Sequence, residues 1–159
     1  QSCGKVAELA GIQIPEGTRA IVAVAEGTGL TDLLGGEKMA PVISAYPYSD
    51  LDDGIRIAAE NLEKDGKGHS VSFHSDSEEH IAKVGESLCV SRFVINQCSA
   101  NSAGGSYFNG LNPTNTLGCG SWGHNSISEN LNYHHLMNVS RIARFMPDNH
   151  VPTDEELWG

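Results

Sequence analysis

The residues with the greatest chemical potential lie together in Gly118-Cys119-Gly120-Ser121-Trp122-Gly123. This is a literal G-x-G-x-x-G with a thiol between two glycines. A dinucleotide fingerprint of that form needs a strand before it, a helix opening within it and an acid about 20 residues on. Here Asn-Pro-Thr-Asn-Thr precedes it, and fewer than 40 residues follow, too few to complete a βαβ unit. The glycines point instead to backbone that approaches a ligand or another chain closely. Ser121 lacks a G-x-S-x-G frame, because position 119 is Cys, so a nucleophile elbow is not supported. A Cys–His nucleophile stays open on composition, although each of the four cysteines has an ordinary use as a small buried hydrophobe. Cys119 has the best context for reactivity, since its glycine neighbours expose it.

Other chemistry-bearing residues are scattered. His69, His74, His80, His134 and His135 invite a metal reading. On a strand, however, positions 69 and 74 point to opposite faces, and no H-x-x-x-H or carboxylate-backed pair stands out. Asn138-Val139-Ser140 matches a glycosylation sequon, here without a secretory signal to give it use. Glu37 lies in a Gly-rich connection ahead of Lys38-Met39-Ala40-Pro41. A carboxylate there can accept hydrogen bonds from sugar hydroxyls, or simply face water as a loop acid.

The elements that must position these groups read as α/β. Cys3 to Ala10 places Val6, Leu9 and Ala10 on one helical stripe and stops at Gly11. Thr18 to Ala25 (TRAIVAVA) is nearly all apolar, the pattern of a strand covered on both faces. Val42 to Tyr46 is a second strand. Asp50 to Lys64 is the clearest helix, with Leu51, Ile55, Ala58 and Leu62 on one face and acids in its first turn. Ser70 to His74, a helix opened by Asp76-Ser77-Glu78-Glu79, and Arg92 to Asn96 (RFVIN) follow. Strand and helix in alternation imply right-handed crossovers and a largely parallel sheet. Residues 97–126 then read as a long loop with six Gly and five Asn, Asn138 to Phe145 as a late edge strand, and 147–159 as an acidic tail.

Composition bounds the function. Ten Lys and Arg stand against 20 Asp and Glu, for a formal net charge of −10, which argues against nucleic acid or anionic membrane as a partner. No apolar run approaches the roughly 18 residues of a membrane span. Cysteines at 3, 89, 98 and 119 are too sparse for a disulfide scaffold and lack C-x-x-C spacing, so a cytoplasmic protein is expected. Residues 97–126 contain no Asp, Glu, Lys or Arg, unusual for a surface loop. The chain opens QSCGKVAELAGI, inside an amphipathic helix and without Met, which leads us to expect a piece of a longer protein.

Taken together, these segments resemble the C-terminal part of the catalytic domain of CoA-acylating aldehyde dehydrogenases. KVAELAGIQIPEGT resembles the helix and turn opening that part of the family's catalytic domain. EKMAPVISAY sits where aldehyde dehydrogenases carry Glu-x-Phe-Gly-Pro before a strand, and GKGHSVSFHSD resembles the Gly-His strand of the acylating branch. The most specific piece, LNPTNTLGCGSWGHNSISENLNYHHLMNVSRI, resembles the TLGCGSWG-x-NS-x-SEN signature of that branch. With the ending PTDEELWG it favours the succinate-semialdehyde-using members; the acetaldehyde and sulfoacetaldehyde acylating enzymes are its rivals.

The resemblance implies covalent thioester chemistry with NAD or NADP and coenzyme A as co-substrate, in a homo-oligomer. It implies a ribose-binding role for Glu37 and a place near cofactor and substrate for His69. Leu117 then lines the nicotinamide, and Gly118, Cys119 and Gly120 line the aldehyde pocket. The family nucleophile and cofactor domain fall upstream of the position matching Gln1. No residue of this chain is therefore expected to be catalytic, His69 being at most an accessory, and the chain alone is expected to be inactive. Residues 1–146 are expected to form the catalytic-domain part, 97–126 to face active site and subunit contact, and 138–145 to serve oligomerisation. A succinyl carboxylate would need a basic residue from elsewhere, backbone N–H groups or neutral donors, because 97–126 has no Arg or Lys. The alternative of another class is a non-catalytic binding or assembly module using the loop and the late strand.

Overall fold

Two short parallel strand pairs, the second backed by helix, carry the chain. A computed structural model describes residues 1–159. Helix α1 (Cys3–Ala10) is N-capped by Ser2, whose side chain accepts from the Lys5 amide, and it ends at Gly11. Its buried positions are Cys3 and Ala7, whereas Leu9 of the expected stripe is 74% exposed. Strands β1 (Ile21–Val24) and β2 (Val42–Ala45) pair in parallel with Ile21 opposite Val42 and Val24 opposite Ala45. Two single 3-10 turns, Gly29–Thr31 and Leu33–Gly35, fill the connection between them.

Helix α2 (Leu51–Lys64) starts on Asp50, which accepts from the Asp53 amide, and carries Asp52 and Asp53 where the helix dipole favours negative charge. Strands β3 (Gly68–Phe73) and β4 (Val90–Ile95), joined by helix α3 (Glu78–Ser87), form the second pair, also parallel, with Ser70 opposite Arg92. Phe73 and Phe93 stack with ring centroids 6.0 Å apart. Phe93 also reaches Gly85 of α3, so one face of this pair is covered by helix.

The alternation of strand and helix is as the sequence predicts, and both pairs are parallel. They form two separate two-stranded sheets, however, with no ladder between β2 and β3. A two-stranded parallel sheet has two open edges, and on β1–β2 one face is open too: Val22 is 61% and Val24 65% exposed. The double cover expected for TRAIVAVA is therefore missing within this chain. The expected edge strand at 138–145 does not form either; its backbone pairs with no strand, and Val139, Ile142 and Phe145 are exposed. The tail carries a short helix α5 (Asp154–Trp158) with a Thr153–Glu156 capping box.

The exposed surface is correspondingly large. A folded monomer of 16.9 kDa is expected to expose about 7,700 Å², yet this chain exposes 12006 Å². Exposed large apolar side chains occur on the β1–β2 face, in the loops and on the extended terminal stretch. No helix is long and apolar enough to cross a membrane.

Candidate functional site

The chemistry-bearing residues meet where β3, β4 and the Gly/Asn-rich loop converge. After a four-residue helix, α4 (Ser99–Ser102), the loop runs out and folds back on itself. Gly118 donates to the Glu129 carbonyl, Gly120 to Ile127 and Leu131 to Thr116, so 116–120 and 127–131 lie antiparallel. Asn125 closes the turn: its Oδ1 accepts from the amides of Cys119 at 2.8 Å and Gly120 at 3.0 Å. Asparagine side chains hold the rest of the loop as well. Asn109 reaches the Ser102 carbonyl at 2.9 Å, and Asn130 reaches Ala103 at 3.0 Å and Asn112 at 2.8 Å. Neutral amides that bond backbone groups thus do the work that charges would do on an ordinary loop.

The turn presses directly on β3. Gly68 has φ +82°, and a Cβ there would collide with the Cys119 carbonyl. A Cβ on Gly118 would likewise collide with the Ile127 carbonyl. These glycines are needed for close approach of backbone to backbone, not for a phosphate cradle.

Beneath the turn lies Arg92, which the sequence pattern marks only as the first position of a strand. Arg92 is only 2% exposed. Its Nε donates to Ser70 Oγ at 3.0 Å, Nη1 to the Gly118 carbonyl at 2.7 Å and to Asn130 Oδ1 at 3.5 Å, and Nη2 to the His69 carbonyl at 3.1 Å. Nη2 also lies 3.9 Å from Cys119 Sγ. The available signal was the period of two in RFVIN, which puts Arg92 on the same side of β4 as the buried Val94.

An open cleft of about 610 Å³ adjoins this junction, lined among others by Lys64, Asp65, His69, Cys119, Trp122 and His124. Its size is in the range of small-molecule and cofactor sites. His69 and Cys119 thus share one cleft. Glu37 does not line the cleft: its amide donates to Oδ2 of the lining Asp65 at 2.9 Å, and its side chain is exposed. Gly118 and Gly120 are buried in the loop's own fold. Leu117 turns to the other side, into a smaller hollow shared with Asn125, Ile127 and Leu131. Lys67, at the cleft edge, is ion-paired with Glu63, and that hydrogen bond holds its pKa above the usual lysine value.

Over 97% of its length the chain is 51% identical to a succinate-semialdehyde dehydrogenase (acetylating) of Clostridium kluyveri. The chain is an acylating aldehyde dehydrogenase homologue. It is also 34% identical over its whole length to a sulfoacetaldehyde dehydrogenase of an Acholeplasma species. In three dimensions it matches the crystal structure of an acetylating aldehyde dehydrogenase from Geobacillus thermoglucosidasius, with a TM-score of 0.81 and 30% identity over 94% of this chain. The chain spans 34% of the first relative, 33% of the second and 33% of that structure, about a third of each. No protein-family model matches it.

Proposed function

We propose that the chain supplies one wall of the active-site cleft in a CoA-acylating aldehyde dehydrogenase, which interconverts an aldehyde and its acyl-CoA with NAD or NADP. Succinate semialdehyde is the favoured aldehyde, from the 51% identity to an enzyme that bears its name. The observation that carries the reading is the meeting of His69 and Cys119 in one cleft, with the Glu37 amide bonded to Asp65 of its lining. The residues fit a nicotinamide cofactor: the carboxylates of Glu37 and Asp65 suit ribose hydroxyls, and the volume suits a ring beside Trp122 and Cys119. When bound, that cofactor takes up the hydride released as the aldehyde carbon is oxidised. The chain's own part is to shape the cleft and limit water; the thioester-forming nucleophile is assigned to the remaining part of the enzyme. Arg92 has no free N–H for a substrate carboxylate, so such a group meets neutral donors or residues outside this chain.

We assign homo-oligomer contact to 138–145, where Val139, Ile142 and Phe145 lie exposed on extended backbone. Cytoplasmic location accords with four free cysteines. The test is CoA-dependent reduction of NAD or NADP by the longer enzyme with succinate semialdehyde, acetaldehyde and sulfoacetaldehyde in parallel. Highest kcat/KM with the first is expected, and none from the 159-residue chain alone. Absence of CoA-dependent turnover with all three rejects the reading, and turnover by the chain alone makes Cys119 the nucleophile.

A further inference from the structure

We infer that Arg92 is the positioning residue of the cleft, clamping the Cys119 turn onto the His69 strand. This rests on the proposed function for its catalytic consequence but not for its geometry. A guanidinium carries five N–H donors. All five are engaged here, on Ser70 Oγ, the Gly118 carbonyl, Asn130 Oδ1, the His69 carbonyl and, more loosely, Cys119 Sγ. The partners come from three separate segments: β3, the 116–120 limb of the loop and its 127–131 limb. No other side chain bridges all three by hydrogen bonds.

Two further facts set Arg92 apart from an ordinary structural arginine. It is buried, yet none of its partners is a carboxylate. Burying a charge without a counter-charge is costly, and a neutral amide would avoid much of that cost, whereas the more strongly hydrated ammonium of a Lys would not. What only the guanidinium supplies is a rigid planar fork able to reach two carbonyls facing different ways. The two carbonyls it holds belong to His69 and to Gly118, the residue preceding Cys119. The side chains of His69 and Cys119, two of those lining the cleft, are therefore set through their own or adjacent backbone. Arg92 touches no cleft volume itself and keeps no donor for a ligand, so it acts on the reaction through placement.

The test uses the longer enzyme with Arg92→Ala and Arg92→Lys. Amide hydrogen exchange should rise several-fold in 116–131 and around 68–70 of Arg92→Ala, with α2 unchanged, and millimolar guanidinium chloride should reverse it in part. With wild-type turnover established, kcat should fall tenfold or more in Arg92→Ala while KM for the aldehyde changes less than threefold. Guanidinium should restore kcat several-fold where ammonium chloride does not. If Arg92→Ala fails to melt cooperatively, Arg92→Lys is read instead, with a several-fold loss of kcat expected. Unchanged exchange in 116–131, unchanged kcat in the variant read, or a loss that guanidinium leaves untouched in folded Arg92→Ala overturns the proposal. If exchange responds as expected but the wild-type enzyme lacks CoA-dependent turnover, the proposed function fails and the clamp stands.

Discussion

The β1–β2 pair and the β3–β4 pair share parallel pairing and apolar sequence, yet they are held by different chemistry. Around β1–β2, carboxylates supply several of the ties: Glu60 of α2 bonds Thr28, Asp32 accepts from Tyr46 Oη at 2.9 Å, and Asp65 accepts from the Glu37 amide, while Lys38, Lys64 and Ser44 donate to carbonyls of the connection. Around β3–β4 they are a guanidinium and neutral amides acting on carbonyls. The second pair has α3 on one face and the loop on the other, while the first leaves Val22 and Val24 bare. Covered strands with backbone-directed ties make a stiff platform, which is where the cleft residues stand. The barer pair has an open apolar face and is tied in part through Glu60, a carboxylate held below its ordinary pKa.

The hardest blow to the platform is Gly68→Ala. It places a Cβ against the Cys119 carbonyl at a positive φ, and a loss of about 2–4 kcal/mol in urea unfolding is expected, with the Cys119 turn displaced. Second is a paired truncation. Val94→Ala, at a site 3% exposed, should cost about 2 kcal/mol, and Val22→Ala, at 61%, under about 0.5 kcal/mol. Equal costs in this chain would erase the contrast between the pairs. A cost for Val22→Ala that climbs in the longer protein would show that this face is covered there. Third, Asn125→Ala removes the acceptor of two amides and should cost about 1 kcal/mol, with faster exchange at Cys119 and Gly120.

The smallest effect is on pH. Hydrogen bonding from Thr28, then from Arg56, holds Glu60 below its ordinary 4.5. A depressed carboxylate stabilises the fold above its unfolded pKa and loses that contribution as pH falls through the folded value. Acidification below about 4.5 should therefore loosen residues 26–37 before 116–131, since arginine and amide ties do not titrate there. Segment-resolved exchange at pH 5 and pH 3, with Glu60→Gln as the control that removes the pH step at 26–37, checks this. Simultaneous loosening of both segments would sink the distinction.

Much of the fold was legible because local signals agreed. The period of α2, its Asp50 cap, the Ser77 cap of α3 and the apolar strand runs all lie within a few residues of where they form. The TLGCGSWG stretch marked the loop and Cys119 within it, whereas Glu37 and His69 gained their roles from the family resemblance. Arg92 was not, because an arginine at a strand end is ordinary until its face is known to be inward. Asn125 and Asn130 were hidden in a general richness of Asn, since nothing in composition says which amide bonds which carbonyl. The stripe of α1 was read on Leu9 and the buried side proved to be Cys3 and Ala7, because burial depends on what packs there.

By itself the sequence determined the order of elements, the parallel pairing of β3 with β4 implied by the helical crossover between them, and a loop stripped of charge. These follow from short-range periodicity, caps and side-chain chemistry, which act within a few residues. Only the tertiary structure decided that β1–β2 and β3–β4 stand as separate pairs, that Gly68 must meet the Cys119 carbonyl, and that one buried guanidinium joins β3 to both limbs of the loop. Those outcomes depend on contacts between residues more than 20 positions apart, such as Arg92 with Gly118, whose geometry no local preference specifies.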